Sequence, residues 1–183
     1  GRAMAAAARA LQAGGADFVV LCTNTMHRVA EAIVQATPLP LLHIAEATAD
    51  ALAAAGLTRV GLLGTRFTLE QPFYRDHLRA RGIATRIPDE AMRERLHRII
   101  YDELCQGVVR ADSRQVYRQA MADLVAAGAE AVVLGCTEIM LLVRAEDAAV
   151  PLFDTTALHA EAAALRSLGP GAPRPACARP PNS

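Results

Sequence analysis

Two short stretches concentrate the groups able to move a proton or form a bond. Residues 21–28 read LCTNTMHR, with Cys22, Thr23, Asn24, Thr25 and His27 directly behind the apolar run DFVVL; residues 135–138 read GCTE behind AEAVVL. A thiol ionises more readily than a hydroxyl, so Cys22 and Cys136 are the first candidates for a base or nucleophile. The threonines and Asn24 supply neutral hydrogen-bonding groups, and Glu138 supplies a carboxylate.

The two stretches align. LQAGGADFVVLCTNT at 11–25 lies over LVAAGAEAVVLGCTE at 124–138 without a gap, a shift of 113 positions that sets Gly15 on Gly128 and Val19-Val20-Leu21 on Val132-Val133-Leu134. Cys22 then stands opposite Gly135, and Thr23 opposite Cys136. PLLHIAEATADAL at 40–52 likewise resembles PLFDTTALHAEAA at 151–163, with a shift of 111. Open parallel sheets bind ligands beyond the carboxyl ends of their strands, so a duplicated unit is expected to bring two such ends to one cleft. One wall would carry Thr23, Asn24 and Thr25, the other Cys136, Thr137 and Glu138.

Helices that start just behind both strand ends would point unpaired N–H groups at that cleft and favour a carboxylate, with Asn24, Thr25 and Thr137 adding side-chain hydrogen bonds. The same field is expected to lower the pKa of Cys136 and leave a thiolate. Successive strand residues face opposite ways, so a Thr23 aimed at the cleft sends Cys22 toward the core. Weaker candidates are Thr65, ending GLLGT, as a contact for substrate carboxylate, and Glu138 as an orienting group. His27 is expected to bond the cleft backbone and His159 to lie near a cap; Arg66 and Arg110 are candidate cations.

These residues need strands and helices to hold them. Helical spacing closed by Gly14-Gly15, the runs DFVVLC, PLPLLHI, RVGLLGT, GIATRIP, AEAVVLGC and AVPLFD, and the amphipathic segments between them read as strands alternating with helices. Thr68 with Gln71 suggests a capping box, Pro72 a first helical turn, DEAMRERLHRIIYDELCQG one long helix, and Ser113 the cap of the next. Such alternation predicts a parallel α/β sheet. The tail from 169 to 183 is rich in Pro, Gly and Arg and is expected to be disordered.

Composition removes several classes of function. All 19 basic residues are arginine, balanced by 19 acids, so no basic surplus favours nucleic acid. Without a lysine the chain forms no internal pyridoxal-phosphate Schiff base and no phosphate-loop lysine contact, and no cofactor is expected. The four cysteines, at 22, 105, 136 and 177, have no zinc-type spacing, so no metal is expected. Free thiols and the lack of a signal or long apolar run suggest a cytoplasmic protein with no membrane partner.

VVLCTNTMH, GLLGTRFTLEQPFY, YDELCQG, LGCTEI and PLFDTTALHAEAA, in this order over residues 1–166, resemble the aspartate/glutamate/hydantoin racemase superfamily, closest to its broad-specificity amino-acid and L-aspartate/glutamate branch. The resemblance implies two pseudo-symmetric three-layer α/β domains with parallel sheets and the active site between them. Residues 1–38 plus 150–168 would form the first domain and 39–149 the second, with an N-terminal strand region missing before Gly1. It implies a cofactor-independent racemase, an isomerase in which one residue takes the α-proton and another delivers one to the opposite face. Many members use two cysteines; here Thr23 stands in the place of the first.

Thr23 and Cys136 are therefore the expected catalytic pair, and Asn24, Thr25, Thr65 and Thr137 the expected substrate contacts. A hydroxyl is a far weaker acid than a thiol, so catalysis should be lopsided between enantiomers. The expected partners are an amino-acid substrate, aspartate or glutamate, and a second copy in a homodimer. A related isomerase, decarboxylase or hydantoin racemase, or a truncated carboxylate-binding protein, are the alternatives.

Overall fold

A computed structural model describes residues 1–169; the expected disordered tail, Gly169 apart, lies outside the described residues. Helix α1 (Arg2–Ala13) leads into β1 (Val19–Val20), a 3₁₀ turn (Thr25–Val29) and α2 (Ala30–Val34). Then come β2 (Leu41–Leu42), α3 (Ile44–Ala54), β3 (Arg59–Gly64), α4 (Arg66–Glu70), α5 (Pro72–Ala80), β4 (Ala84–Arg86) and α6 (Glu90–Arg98). The chain ends with α7 (Ala111–Ala126), β5 (Ala131–Gly135), α8 (Ile139–Leu142), β6 (Leu152–Asp154) and α9 (Thr155–Leu168).

The strands form two parallel sheets, β1-β2 and β4-β3-β5-β6. In the larger sheet side chains alternate between two apolar layers. Val60, Leu62, Ala131 and Val133 pack with Ile44, Leu52, Leu69, Tyr74 and Leu78 of α3 to α5, whereas Leu63, Val132, Leu134 and Cys136 pack with Leu96, Tyr117, Leu124 and Ile139 of α6 to α8. A strand covered on both faces must be apolar on both, which is why RVGLLG and AVVLG read as nearly continuous apolar runs. A smaller core of Ala8, Val19 and Ile33 holds α1, β1 and α2 together.

The internal repeat extends to the backbone. Gly15 and Gly128 both close a helix at positive φ, 84° and 94°, a conformation that glycine adopts without a Cβ clash. The amide of Ala16 bonds Leu11 O at 3.1 Å, and that of Ala129 bonds Leu124 O at 3.0 Å. Val19 pairs with Leu41 and Val132 with Leu152. His43 caps α3 by accepting from Ala45 N, and Asp154 caps α9 by accepting from Thr156 N. Each of these pairs obeys the shifts of 113 and 111 found in the sequence.

In that register β2 lies beside β1 and β6 beside β5. Only behind these strands does the chain change partners: α3 packs on the large sheet, and His159 of α9 reaches Leu42 O of β2.

Four local expectations also change. The Thr68/Gln71 capping box is replaced by a Thr65 cap, whose hydroxyl accepts from Thr68 N. Pro72 holds Gln71 in an extended conformation (φ −79°, ψ 145°), which divides one expected helix into α4 and α5. Ser113 lies inside α7, with Arg110 in the capping place, because its hydroxyl donates instead to Glu103 at the end of the preceding helix. The long helix of 89–107 holds its course only to Arg98, then widens into a π turn (Ile99–Glu103) and tightens into a 3₁₀ turn (Leu104–Gln106). Among the described residues no helix is long and apolar enough to cross a membrane.

Candidate active site

From β3 the chain crosses to β4 on one side and returns to place β5 on the other. The order therefore reverses between β3 and β5, the switch point where two diverging loops leave a crevice beyond the strand ends. Gly64 pairs with Gly135 there, so the next residues, Thr65 and Cys136, leave the sheet side by side. The close approach excludes side chains at both glycines. A Cβ on Gly135 would sit 2.8 Å from Leu63 O, and one on Gly64 3.0 Å from Gly135 O.

Cys136 is buried. Its thiol donates to Glu138 Oε2 at 3.0 Å, and the Thr137 hydroxyl donates to the same oxygen at 2.7 Å. Burial, and then the hydrogen bond to Glu138, push the Cys136 thiol well above the ordinary range. This overturns the expected thiolate: α8 has only four residues, and its field is outweighed by desolvation and by a neighbouring carboxylate. Burial raises the Glu138 pKa, but the bonds from Cys136 and Thr137 prevail and hold it below the usual carboxylate value. The resting pair is thus a neutral thiol on an ionised acceptor.

On the other side Thr23 is half-buried, in a tight turn where its amide bonds Leu21 O at 2.8 Å. Asn24 is buried; its Nδ2 donates to Thr155 Oγ1 at 3.0 Å, and the Thr155 hydroxyl donates to Leu134 O at 2.8 Å, tying this turn to β5. Asn24 Oδ1 has no protein partner and is left as a free acceptor. Thr25 Oγ1 lies 3.3 Å from both Thr65 Oγ1 and Thr68 Oγ1, so three hydroxyls share one network.

The structure thus joins Asn24, Thr25 and Thr65 to the ends of β3 and β5, and gathers Cys136 and Thr137 on Glu138. Thr155 and Thr68, which hold Asn24 and Thr25, escaped the sequence reading. For Thr155 there was a signal, because it aligns with Ile44 and is a polar residue at an apolar place of the repeat.

Other candidates fall elsewhere. Cys22 is exposed and not in the core, with Sγ 3.9 Å from Val20 O. Its partner position, Gly135, ends a strand flanked by β3 and β6, whereas among the described residues β1 pairs with β2 alone. Arg66 is taken up by Glu94 at 2.9 Å, and Arg110 is exposed at the start of α7. His27 bonds Thr23 O at 2.7 Å, and His159 bonds Leu42 O at 2.8 Å. Two surface grooves of ≈ 360 Å³ and ≈ 330 Å³, beside β4 and α5, contain none of the candidate residues. Among the described residues no group of three or more His, Cys, Asp or Glu is placed to hold a metal.

Comparison with known proteins gives this geometry a context. The family model described as Asp/Glu/Hydantoin racemase matches residues 1–163. The crystal structure of a candidate Asp/Glu racemase from Yersinia pestis is 50% identical, with a TM-score of 0.87, over 92% of this chain and 74% of that one. The structure of PH1733, an aspartate racemase homologue from Pyrococcus horikoshii OT3, is 32% identical with a TM-score of 0.76, over 85% of this chain and 68% of that one. The broad specificity amino-acid racemase RacX of Bacillus subtilis strain 168 is 24% identical over 158 residues, 82% of this chain and 65% of its own length.

Proposed function

The chain belongs to the Asp/Glu/hydantoin racemase family, and from that premise we propose that it racemises an amino acid, aspartate or glutamate, without a cofactor. Cys136 and Thr23 act on opposite faces of the α-carbon. The observation that carries this reading is the Cys136 thiol hydrogen-bonded to Glu138 at the switch point of the sheet.

A buried thiol is a poor base until its proton has somewhere to go, and Glu138 Oε2 is the acceptor at 3.0 Å. In the reaction the proton moves from Sγ to Glu138. The thiolate then removes the α-proton of the L-enantiomer. Thr23, whose hydroxyl donates more readily than it accepts, relays a proton from water to the other face, and the hydroxide so formed takes the proton held on Glu138, which restores the resting thiol, hydroxyl and carboxylate. Asn24 Oδ1, an acceptor without a protein partner, suits the substrate ammonium, and the Thr25–Thr65 hydroxyls suit its carboxylate.

The aspartate or glutamate assignment rests on the relatives' names, above all the 50% identical protein described as an Asp/Glu racemase. Entry of solvent deuterium at the α-carbon of L- and D-aspartate and L- and D-glutamate tests the reading. Exchange in the unmodified chain and its loss in Cys136→Ser are the expected results; unchanged exchange in that variant would refute the role of Cys136.

A further inference from the structure

Four of the five histidines of the chain meet in one place. His27 of the 3₁₀ turn lies 4.2 Å from His43 at the start of α3 and 6.0 Å from His159 of α9, and His43 stacks on His77 of α5 at 3.9 Å, all between ring centroids. His27, His43 and His159 are buried. On α3 and α5 the buried hydroxyls of Thr48 and Tyr74 bond each other. The charged residues Arg28, Glu46, Arg75, Asp76 and Glu161 on or beside these elements make no hydrogen bond or ion pair to any of the four rings among the described residues. Nor do Asp50, Arg79 and Arg166 on the same elements, so among the described residues no carboxylate is bonded to these rings to balance an imidazolium.

His27 differs from the others in spanning two parts of the fold with both ring nitrogens. Ile44 N, at the start of α3, donates to Nε2 at 3.2 Å, which requires a lone pair there. Nδ1 must then carry the proton and donate it to Thr23 O at 2.7 Å. The neutral ring satisfies both contacts, and the charged ring would set two N–H groups against each other at Ile44. The residue that aligns with His27 in the second repeat is Met140, which is exposed, so the Cys136 side has no such tie.

We propose that His27 is a positioning residue for Thr23: its neutral Nδ1–H tautomer fastens the Thr23 carbonyl to the start of α3 and so holds the proton-donating face in place. This rests on the reading of Thr23 and Cys136 as the two proton-transfer groups. Burial and the neighbouring rings support the neutral form by depressing the His27 pKa to about 4, although the bond to Thr23 O acts in the other direction.

The test compares His27→Gln with His27→Asn in the full chain. Glutamine can still accept from Ile44 N but loses the bond to Thr23 O, whereas asparagine can keep that bond. With L-aspartate or L-glutamate in D₂O, loss of the α-proton reads Cys136, and the fraction that inverts reads Thr23. The ratio of inversion to proton loss is expected to fall about 10- to 100-fold in His27→Gln and to stay near the original value in His27→Asn. Simple destabilisation would lower both rates together. Nitrogen NMR at pH 6 should show a neutral His27 protonated at Nδ1. An unchanged ratio in His27→Gln, or a ring protonated at Nε2, would overturn the proposal alone. Neither proton loss nor inversion with any of the four enantiomers in the unmodified chain would overturn the racemase reading and the role of Thr23 with it.

Discussion

Up to Leu21 and Leu134 the two copies of the repeat are built alike, down to the amide of Val19 on Pro40 O at 2.9 Å and that of Val132 on Pro151 O at 3.0 Å. Beyond those residues they diverge. The first copy turns through hydroxyls and an amide, pinned by a neutral imidazole; the second turns through a thiol and a hydroxyl, gathered on an ionised carboxylate. A shared backbone therefore positions two different kinds of proton chemistry. Only the second end has a group that can take up a proton from its neighbour. The first can hold and give one, and its geometry depends on hydrogen bonds that a charge would disrupt.

Removing the thiol should break this comparison most completely. Cys136→Ser is expected to reduce α-proton loss from the L-substrate by roughly 10³-fold, since a hydroxyl in that place is a much weaker acid than a thiol and even with Glu138 beside it yields far less of the basic form. Rates of deuterium entry followed by mass spectrometry check this.

Acid should affect the two ends unequally. The folded-state pKa values of His27 and His43 are lowered from 6.5 to about 4 and about 3, chiefly by burial. The folded protein binds fewer protons than the unfolded chain within that interval. Stability is therefore fully present above pH 6.5 and is lost as pH falls toward 4. His27 alone accounts for about 3 kcal/mol of that loss. Denaturant titrations from pH 7 to 4 should show the slope, and His27→Asn should reduce it.

Glu138→Gln keeps the shape of the second end and removes its charge. The thiol then has no anionic acceptor, and L-side proton loss is expected to fall about 100-fold with little change in Tm. Equal activity in this variant would mean that Cys136 sheds its proton elsewhere.

The smallest contrast is structural. Gly135→Ala forces a Cβ against Leu63 O and should cost about 1–3 kcal/mol, whereas Cys22→Ala, at the aligned but exposed position, should stay within about 0.5 kcal/mol. Chemical denaturation of the two variants provides the comparison.

Much of the frame was legible because it depends on short-range rules. Glycine stops, apolar runs and the shifts of 113 and 111 located the strands and the turns behind them. What escaped depends on neighbours remote in sequence. Cys22 reads as a core residue until it is seen that, among the described residues, β1 pairs with β2 alone. The thiolate expected at Cys136 fails because burial comes from α6 to α8, and because Glu138 folds back on the thiol. Thr65 and Thr68 are both plausible caps by sequence, and the end of β3 decides between them. That α3 covers the large sheet is invisible to local pattern, since its apolar spacing is the same whichever sheet it covers.

The central claim is that the two strand ends do unequal work, and the most direct test sets the two enantiomers side by side. In D₂O, α-proton loss from the L-enantiomer of aspartate or glutamate should exceed that from the D-enantiomer by roughly 10-fold or more, and Thr23→Cys should narrow the gap by speeding the D-side. Equal rates from both enantiomers in the unmodified chain would contradict the account.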